Sequence, residues 1–351
     1  MKTAIGGGIN TENWEEFSTY VVEAEKLGVD SVWSAEAWGH DAATPLAFLA
    51  ARTKTMKLGS GIMQTIGRTP ANTAMTAMSL ASLSGGRFIL GLGVSGPQVV
   101  EGWHGLPYSR PIQRLRETID IVRIICRGDK SEYSGQIFQL PLPGGEGKAI
   151  RSRAEPQPNI PVYLATLSPN SLELTGEVAE GWIGTSFMPE HADVFFEHIE
   201  RGAKKAGRSL ADLDLMAGGA VGFSDDIDKL VARHRPGIAF TLGAMGSKQH
   251  NFYNNAYRRA GFDEDALAVQ RLWLEGDREG AAKLVPDEMV IQSNLLGTEE
   301  MVRDRIRTYR DAGVTTLRLQ PDGRNLEERL ETLGRAVKLV REVSAETVGA
   351  L

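Results

Sequence analysis

What most restricts the fold of this chain is a repeated alternation. Short apolar runs of strand length are each followed by a longer stretch whose apolar residues recur every three or four positions. The first four runs cover 2–6, 30–34, 57–62 and 87–92. The helical patterns that follow them are a stretch capped by Thr11 and ended by Gly28, then 44–53, 70–83 and 111–127. The alternation resumes with runs at 162–165, 182–185, 213–223 and 314–319, and helical periods over 168–179, 189–206, 298–312 and 326–343. Runs that are apolar throughout suit parallel strands covered on both faces. Eight strand–helix units in series predict a closed (β/α)8 barrel, one domain spanning 1–351.

Two segments depart from the period. Residues 128–159 are rich in Gly and Pro and predict an extended insertion with one hairpin around 133–139. Residues 224–294 are too long for one unit and predict a mainly helical insertion, including 264–275 and 278–284. Both are expected beside the barrel mouth.

Charge and special residues narrow the function. A net charge of −6, spread without blocks, offers no electrostatic grip on nucleic acid or anionic lipid. The single cysteine, Cys126, follows Ile124 and Ile125 and reads as a core thiol in a reducing compartment. No run approaches the ~18 apolar residues of a membrane span, and no signal-peptide core is present, so a cytoplasmic protein is expected. The six histidines (40, 104, 191, 198, 234 and 250) form no metal-binding spacing, and one cysteine cannot build a zinc site, so no metal is expected.

Gly91, Gly93 and Gly96 spell G-x-G-x-x-G directly after the fourth strand, a dinucleotide-binding pattern. That reading needs a long helix from the third glycine. Here Gly102, Gly105, Pro107 and Pro111 interrupt it, leaving one turn at most. In a barrel, the same glycines would bring backbone close to a flat ligand ring.

Three stretches carry a family resemblance: DSVWSAEAWGHDAATPLAFLAARTKTMKLGSGIMQ, LSGGRFILGLGVSGPQVVEGWHG and PVYLATLSPNSLELTGEVAEGWIGTSFMPE. With them the chain resembles the bacterial-luciferase-like superfamily of flavin and deazaflavin oxidoreductases. It is most similar to the actinobacterial members that use coenzyme F420, the 5-deazaflavin. The resemblance implies a luciferase-like barrel binding its tricyclic ring at the C-terminal mouth, with a bulge and a non-prolyl cis peptide at Gly61–Ile62 backing the ring. It implies that Glu36, Gln64 and Ser95 lie near the ring. It also implies that Leu167, Ser168, Asn170 and Ser171 hold the phosphate-bearing tail.

The resemblance has limits. F420 glucose-6-phosphate dehydrogenases carry a catalytic glutamate where this chain reads Ser95-Gly96-Pro97-Gln98, and their phosphate lysine falls near Met188. Methylene-tetrahydromethanopterin reductases place a glutamate where this chain has Gly6-Gly7-Gly8.

The expected activity is hydride transfer between F420 and a small organic substrate. The alternatives are an FMN-dependent luciferase-like monooxygenase and a barrel that only carries a deazaflavin. A proton donor is sought among Glu36, His40, Glu101 and His104, by placement in the loops after strands two and four; a packing role for His104 stands beside the catalytic one. Trp38, Thr185 and Met188 are expected on the substrate side. A homodimer is expected.

Overall fold

The computed structural model describes residues 1–7, 11–245 and 251–346. The expectations that touch Gly8 and His250 fall outside them. The chain runs through β1 (Lys2–Gly7), α1 (Trp14–Leu27), β2 (Ser31–Ser34), α2 (Ala43–Arg52), β3 (Lys57–Ser60), β4 (Met63–Gln64), α3 (Pro70–Leu83) and β5 (Phe88–Gly93). A short helix α4 (Pro97–Val100) and α5 (Pro111–Cys126) precede a two-stranded hairpin, β6 (Tyr133–Ser134) with β7 (Gln139–Leu140). The barrel resumes with β8 (Val162–Leu164), α6 (Pro169–Val178), β9 (Gly181–Ile183), α7 (Asp193–Lys205) and β10 (Asp214–Phe223).

Five helices then form the second insertion: α8 (Ile227–Gly243), α9 (Phe252–Arg259), α10 (Asp263–Glu275), α11 (Arg278–Leu284) and α12 (Asp287–Ser293). The chain ends its regular structure with β11 (Leu295–Gly297), α13 (Glu299–Asp311), β12 (Thr316–Pro321) and α14 (Leu326–Ala345). Parallel pairing closes the sheet in the order β1-β2-β3-β5-β8-β9-β10-β12 and back to β1, the predicted eight-stranded barrel. β11 adds to β10 outside that ring.

Element boundaries follow local chemistry. Asn13, not Thr11, caps α1: its side chain accepts from the Glu16 N–H at 3.0 Å. Gly28 closes the helix in the left-handed region, φ 84°. Pro70 opens α3 beneath its Thr69 cap. The helix expected over 189–206 begins instead with a separate 3-10 turn, Pro189–His191. β4, β11 and α4 are too short to register in a periodicity reading.

The main core packs helices onto the outer faces of the strands and includes Val21, Leu46, Leu58, Phe88, Ile119 and Trp182. A second, smaller core belongs to the helical insertion and reaches the barrel through Met188, Ala220 and Leu296. The barrel interior is plugged by Ala4, Trp33, Ile89, Tyr163, Ile183 and Met216. Trp33 and Tyr163 stack with ring centroids 5.5 Å apart. Room for them exists because Gly59 faces Trp33 and Gly181 faces Tyr163, where any side chain would collide with the rings.

Candidate active site

The strand-three edge is interrupted where the resemblance places a bulge. Between Gly59↔Ile89 and Met63↔Leu92 the chain takes four steps on one side and three on the other, so one extra residue is accommodated. The Gly61–Ile62 peptide bond is cis. Hydrogen bonds fix this turn to the end of β2: Gly61 N–H donates to the Ser34 carbonyl at 2.8 Å, and Glu36 N–H to the Ile62 carbonyl at 3.2 Å.

Above the plug, at the C-terminal ends of the strands, lies a cavity of about 540 Å³. Ile62, Ala165 and Ile183 belong to both plug and cavity wall. The wall takes in Ala35–Trp38 after β2, Gly61 and Ile62, and Gly93–Gly96 after β5. It continues through Ala165–Ser168 and Ser171, Thr185, then Phe252 and Tyr253 of the insertion, and Arg318 of β12. A site of this size at the strand C-termini is where barrel enzymes bind small molecules.

The expected residues divide into two groups. Gly61, Ile62, Ser95, Leu167, Ser168, Ser171, Trp38, Thr185 and Glu36 all line the cavity. Ser95 adopts a left-handed conformation, φ 58°, which turns the β5 end across the mouth. Gln64 and His104 stand outside the lining. Glu101, His40, Asn170 and Met188 do as well.

Glu36 is heavily engaged. Its Oε1 accepts from the Gln64 N–H at 2.8 Å and Arg68 Nη1 at 2.6 Å, and its Oε2 accepts from the Ala42 N–H at 3.0 Å. Gln64 Nε2 donates to the Glu36 and Ala37 carbonyls. That fixes the amide so its Oε1 faces His104, whose Nε2–H donates to it at 2.8 Å. His104 is thus a brace on the bulge. Glu101 accepts the Tyr108 N–H at 3.2 Å within its own loop.

His40 is exposed and packs edge-on to Trp14 at 5.0 Å. Met188 is buried in the insertion's core, because the left-handed turn at Ser186 (φ 52°) carries the chain away from the mouth. Asn170 is exposed at the second position of α6, where its backbone N–H belongs to the first turn. Gly91 differs from its expected role: it packs on Ser60 rather than on the cavity, with Ser60 Oγ donating to the Gly91 carbonyl at 2.9 Å.

At the other side of the cavity, Ser168 caps α6. Its N–H donates to Ser171 Oγ at 3.1 Å, and the two hydroxyls lie 2.8 Å apart. Arg259 of α9 donates to the Leu167 carbonyl at 2.7 Å, and burial pulls its guanidinium below the ordinary value. An α-helix N-terminus with two hydroxyls and a nearby cation is an anion seat in physical terms.

Arg68, Arg259, Tyr253 and Arg318 were not singled out by their sequence context. Arg318 had a readable signal. Leu317 and Leu319 are buried outward-facing strand residues, so the charged residue between them must face into the barrel.

The luciferase-like monooxygenase family model matches residues 1–316. The chain belongs to that family. This luciferase-like chain is 38% identical over 305 residues to a Mycobacterium tuberculosis protein named as a candidate coenzyme F420-dependent oxidoreductase, covering 85% of this chain and 88% of that one. It is 30% identical over 329 residues to the 5,10-methylenetetrahydromethanopterin reductase of Archaeoglobus fulgidus, covering 92% and 94%. The solved coenzyme F420-dependent tetrahydromethanopterin reductase from Methanopyrus kandleri superposes with a TM-score of 0.81 at 26% identity, covering 96% and 98% of the two chains. Among the described residues, no helix is long and apolar enough to cross a membrane.

Proposed function

We propose that this chain is a coenzyme F420-dependent oxidoreductase that moves a hydride between the deazaflavin and a small organic substrate. One observation carries the reading: a single cavity contains both the bulged wall at Gly61–Ile62 and the hydroxyl-lined N-terminus of α6. F420-dependent relatives at 38% and 26% identity support the choice of cofactor.

Gly61 and Ile62, with Gly93 and Ser95 beside them, offer a wall of backbone and one aliphatic chain to a flat ring. Leu167, Ser168 and Ser171, with the Asn170 N–H, would hold the phosphate-bearing tail, and Arg259 adds positive charge to that end. When bound, the reduced deazaflavin supplies a hydride from its ring.

The protein's part is to orient and to exclude water. Trp38 and Phe252 supply apolar surface at the cavity wall. Glu36 reaches that wall, but its oxygens already accept from Arg68 and two backbone N–H groups, so we assign it the role of holding Gln64 and the 36–38 loop. His104 supports the same loop through Gln64. His40 and Glu101 stand outside the cavity lining, Glu101 one contact behind it through Tyr108, and we assign neither a proton-transfer role.

Titration with F420, read by deazaflavin fluorescence, tests this directly. Saturable binding is expected. Ser168→Ala combined with Ser171→Ala should weaken it about tenfold, the size of one charge-assisted hydrogen bond. Absence of saturable binding to F420, together with oxygen uptake on reduced FMN, would transfer the chain to the monooxygenase reading.

A further inference from the structure

Arg318 is an anomaly in the cavity. It projects from β12, which stands opposite β5 in the eight-strand ring, four strands away in either direction. Its Nε is sealed from solvent without a hydrogen-bond partner, and no ion pair engages its guanidinium among the described residues. Burial depresses the guanidinium below its ordinary value, and only the nearby Tyr309 and Tyr253 hydroxyls oppose that shift. An arginine held inside a barrel without a counter-charge is costly unless something else supplies the charge.

No residue of the cavity wall is free to supply it. The one carboxylate in that wall, among the described residues, is Glu36, and it is committed to Arg68. Tyr253, from α9 of the insertion, lines the same cavity, and its hydroxyl has no hydrogen-bond partner among the described residues. A planar cationic fork beside a phenol hydroxyl matches the two oxygens of a carboxylate, which accept in-plane hydrogen bonds from such donors. The phosphate-type seat, at the α6 N-terminus, is built differently and belongs to another part of the wall.

We propose that Arg318 and Tyr253 form a carboxylate-binding subsite, so that the substrate is a small organic molecule bearing a carboxylate. The word substrate rests on the function proposed above; the anion subsite itself does not. The carboxylate anchors on the β12 side and points the rest of the molecule toward the wall at Gly61–Ile62.

The test compares shape-matched probes, benzoate against benzamide and butyrate against butyramide, by calorimetry on the full chain with and without F420. Carboxylates should bind at least about tenfold more tightly than their amides, as a charge-assisted contact requires. Arg318→Gln should abolish that preference, Arg318→Lys should keep part of it, and Tyr253→Phe should reduce it, with F420 affinity unchanged within about twofold.

Equal binding of acid and amide by the unaltered chain overturns the proposal, whatever the variants do. It is also overturned if Arg318→Gln and Arg318→Lys weaken F420 and leave the carboxylate preference intact, since the arginine would then serve the cofactor. If the unaltered chain prefers carboxylates but never binds F420, the subsite stands and the cofactor assignment falls.

Discussion

A methyl group added at Gly91 would be driven into the Ser60 carbonyl oxygen and would come within 2.9 Å of Ile183 Cδ1. Both neighbours are fixed: one is backbone of an adjacent strand, the other part of the barrel plug. Gly91→Ala should therefore destabilise the fold by about 2 kcal/mol or more through overpacking, visible as a lowered midpoint in urea. Gly96→Ala, at the cap of α4 with φ −95°, should be tolerated far better. The contrast separates two glycines that share one sequence motif. At this scale the sequence was half legible. The G-x-G-x-x-G spelling was visible, and the interrupting glycines and prolines rightly argued against a long helix. That Gly91 serves strand packing, while Gly93 and Gly96 face the cavity, depends on how far along β5 each sits and on neighbours about thirty residues away, Ser60 beneath and Ile62 above. Arg68 and Arg259 were missed because their partners, the Glu36 carboxylate and the Leu167 carbonyl, lie 32 and 92 residues away in sequence, whereas the parity of Arg318 between Leu317 and Leu319 was there to be read.

Glu117 shows how an element without a period is nonetheless held. It sits on α5, fully buried, and accepts from the N–H groups of Gln136, Ile137 and Phe138 and from Gln113 Nε2. Burial works to raise its carboxyl pKa, but those hydrogen bonds outweigh it and hold the group below the ordinary value of 4.5. A depressed folded-state value contributes stability above the unfolded value and loses it as pH falls through the folded one. The β6–β7 hairpin should thus loosen on acidification below about pH 4.5, read by hydrogen exchange at residues 133–140. Glu117→Gln should remove that pH step, and Glu117→Ala should cost about 3 kcal/mol by leaving several N–H groups without an acceptor. The hairpin was foreseen from its turn composition, but its anchor was not, because the anchor lies on a preceding helix. The bulge after β3 is a related case: a family pattern located it, whereas hydrophobic periodicity ran straight through it as one strand over 57–62. Cap positions shifted by a residue or two, as at Asn13, since several polar residues in 10–13 could have served.

The molecule has a main core, the insertion's smaller core and the barrel plug, and the insertion also joins the main core through Ala256 of α9. The insertion's core contains Leu242, Val269, Ala281 and Met289 and touches the barrel at Met188, Ala220 and Leu296. Met289→Ala should cost about 2–4 kcal/mol by leaving a cavity there. Hydrogen exchange should then quicken across α8–α12 before it does in the β1–β5 wall. Eight repeated units made the barrel legible in sequence, because each unit repeats the same two periods. The insertion could be read only as helical, since its packing depends on where β10 and β11 leave it. Strand order adds a consequence for synthesis. β12 is the last strand made, and it pairs with both β10 and β1. Until it leaves the ribosome, the nascent sheet has two open edges and no cavity. A chain stalled before residue 316 would present unpaired strands to its neighbours, the usual start of aggregation. The strand that carries Arg318 is therefore also the one that ends this exposure, so finishing the cavity and becoming safe from aggregation are the same event.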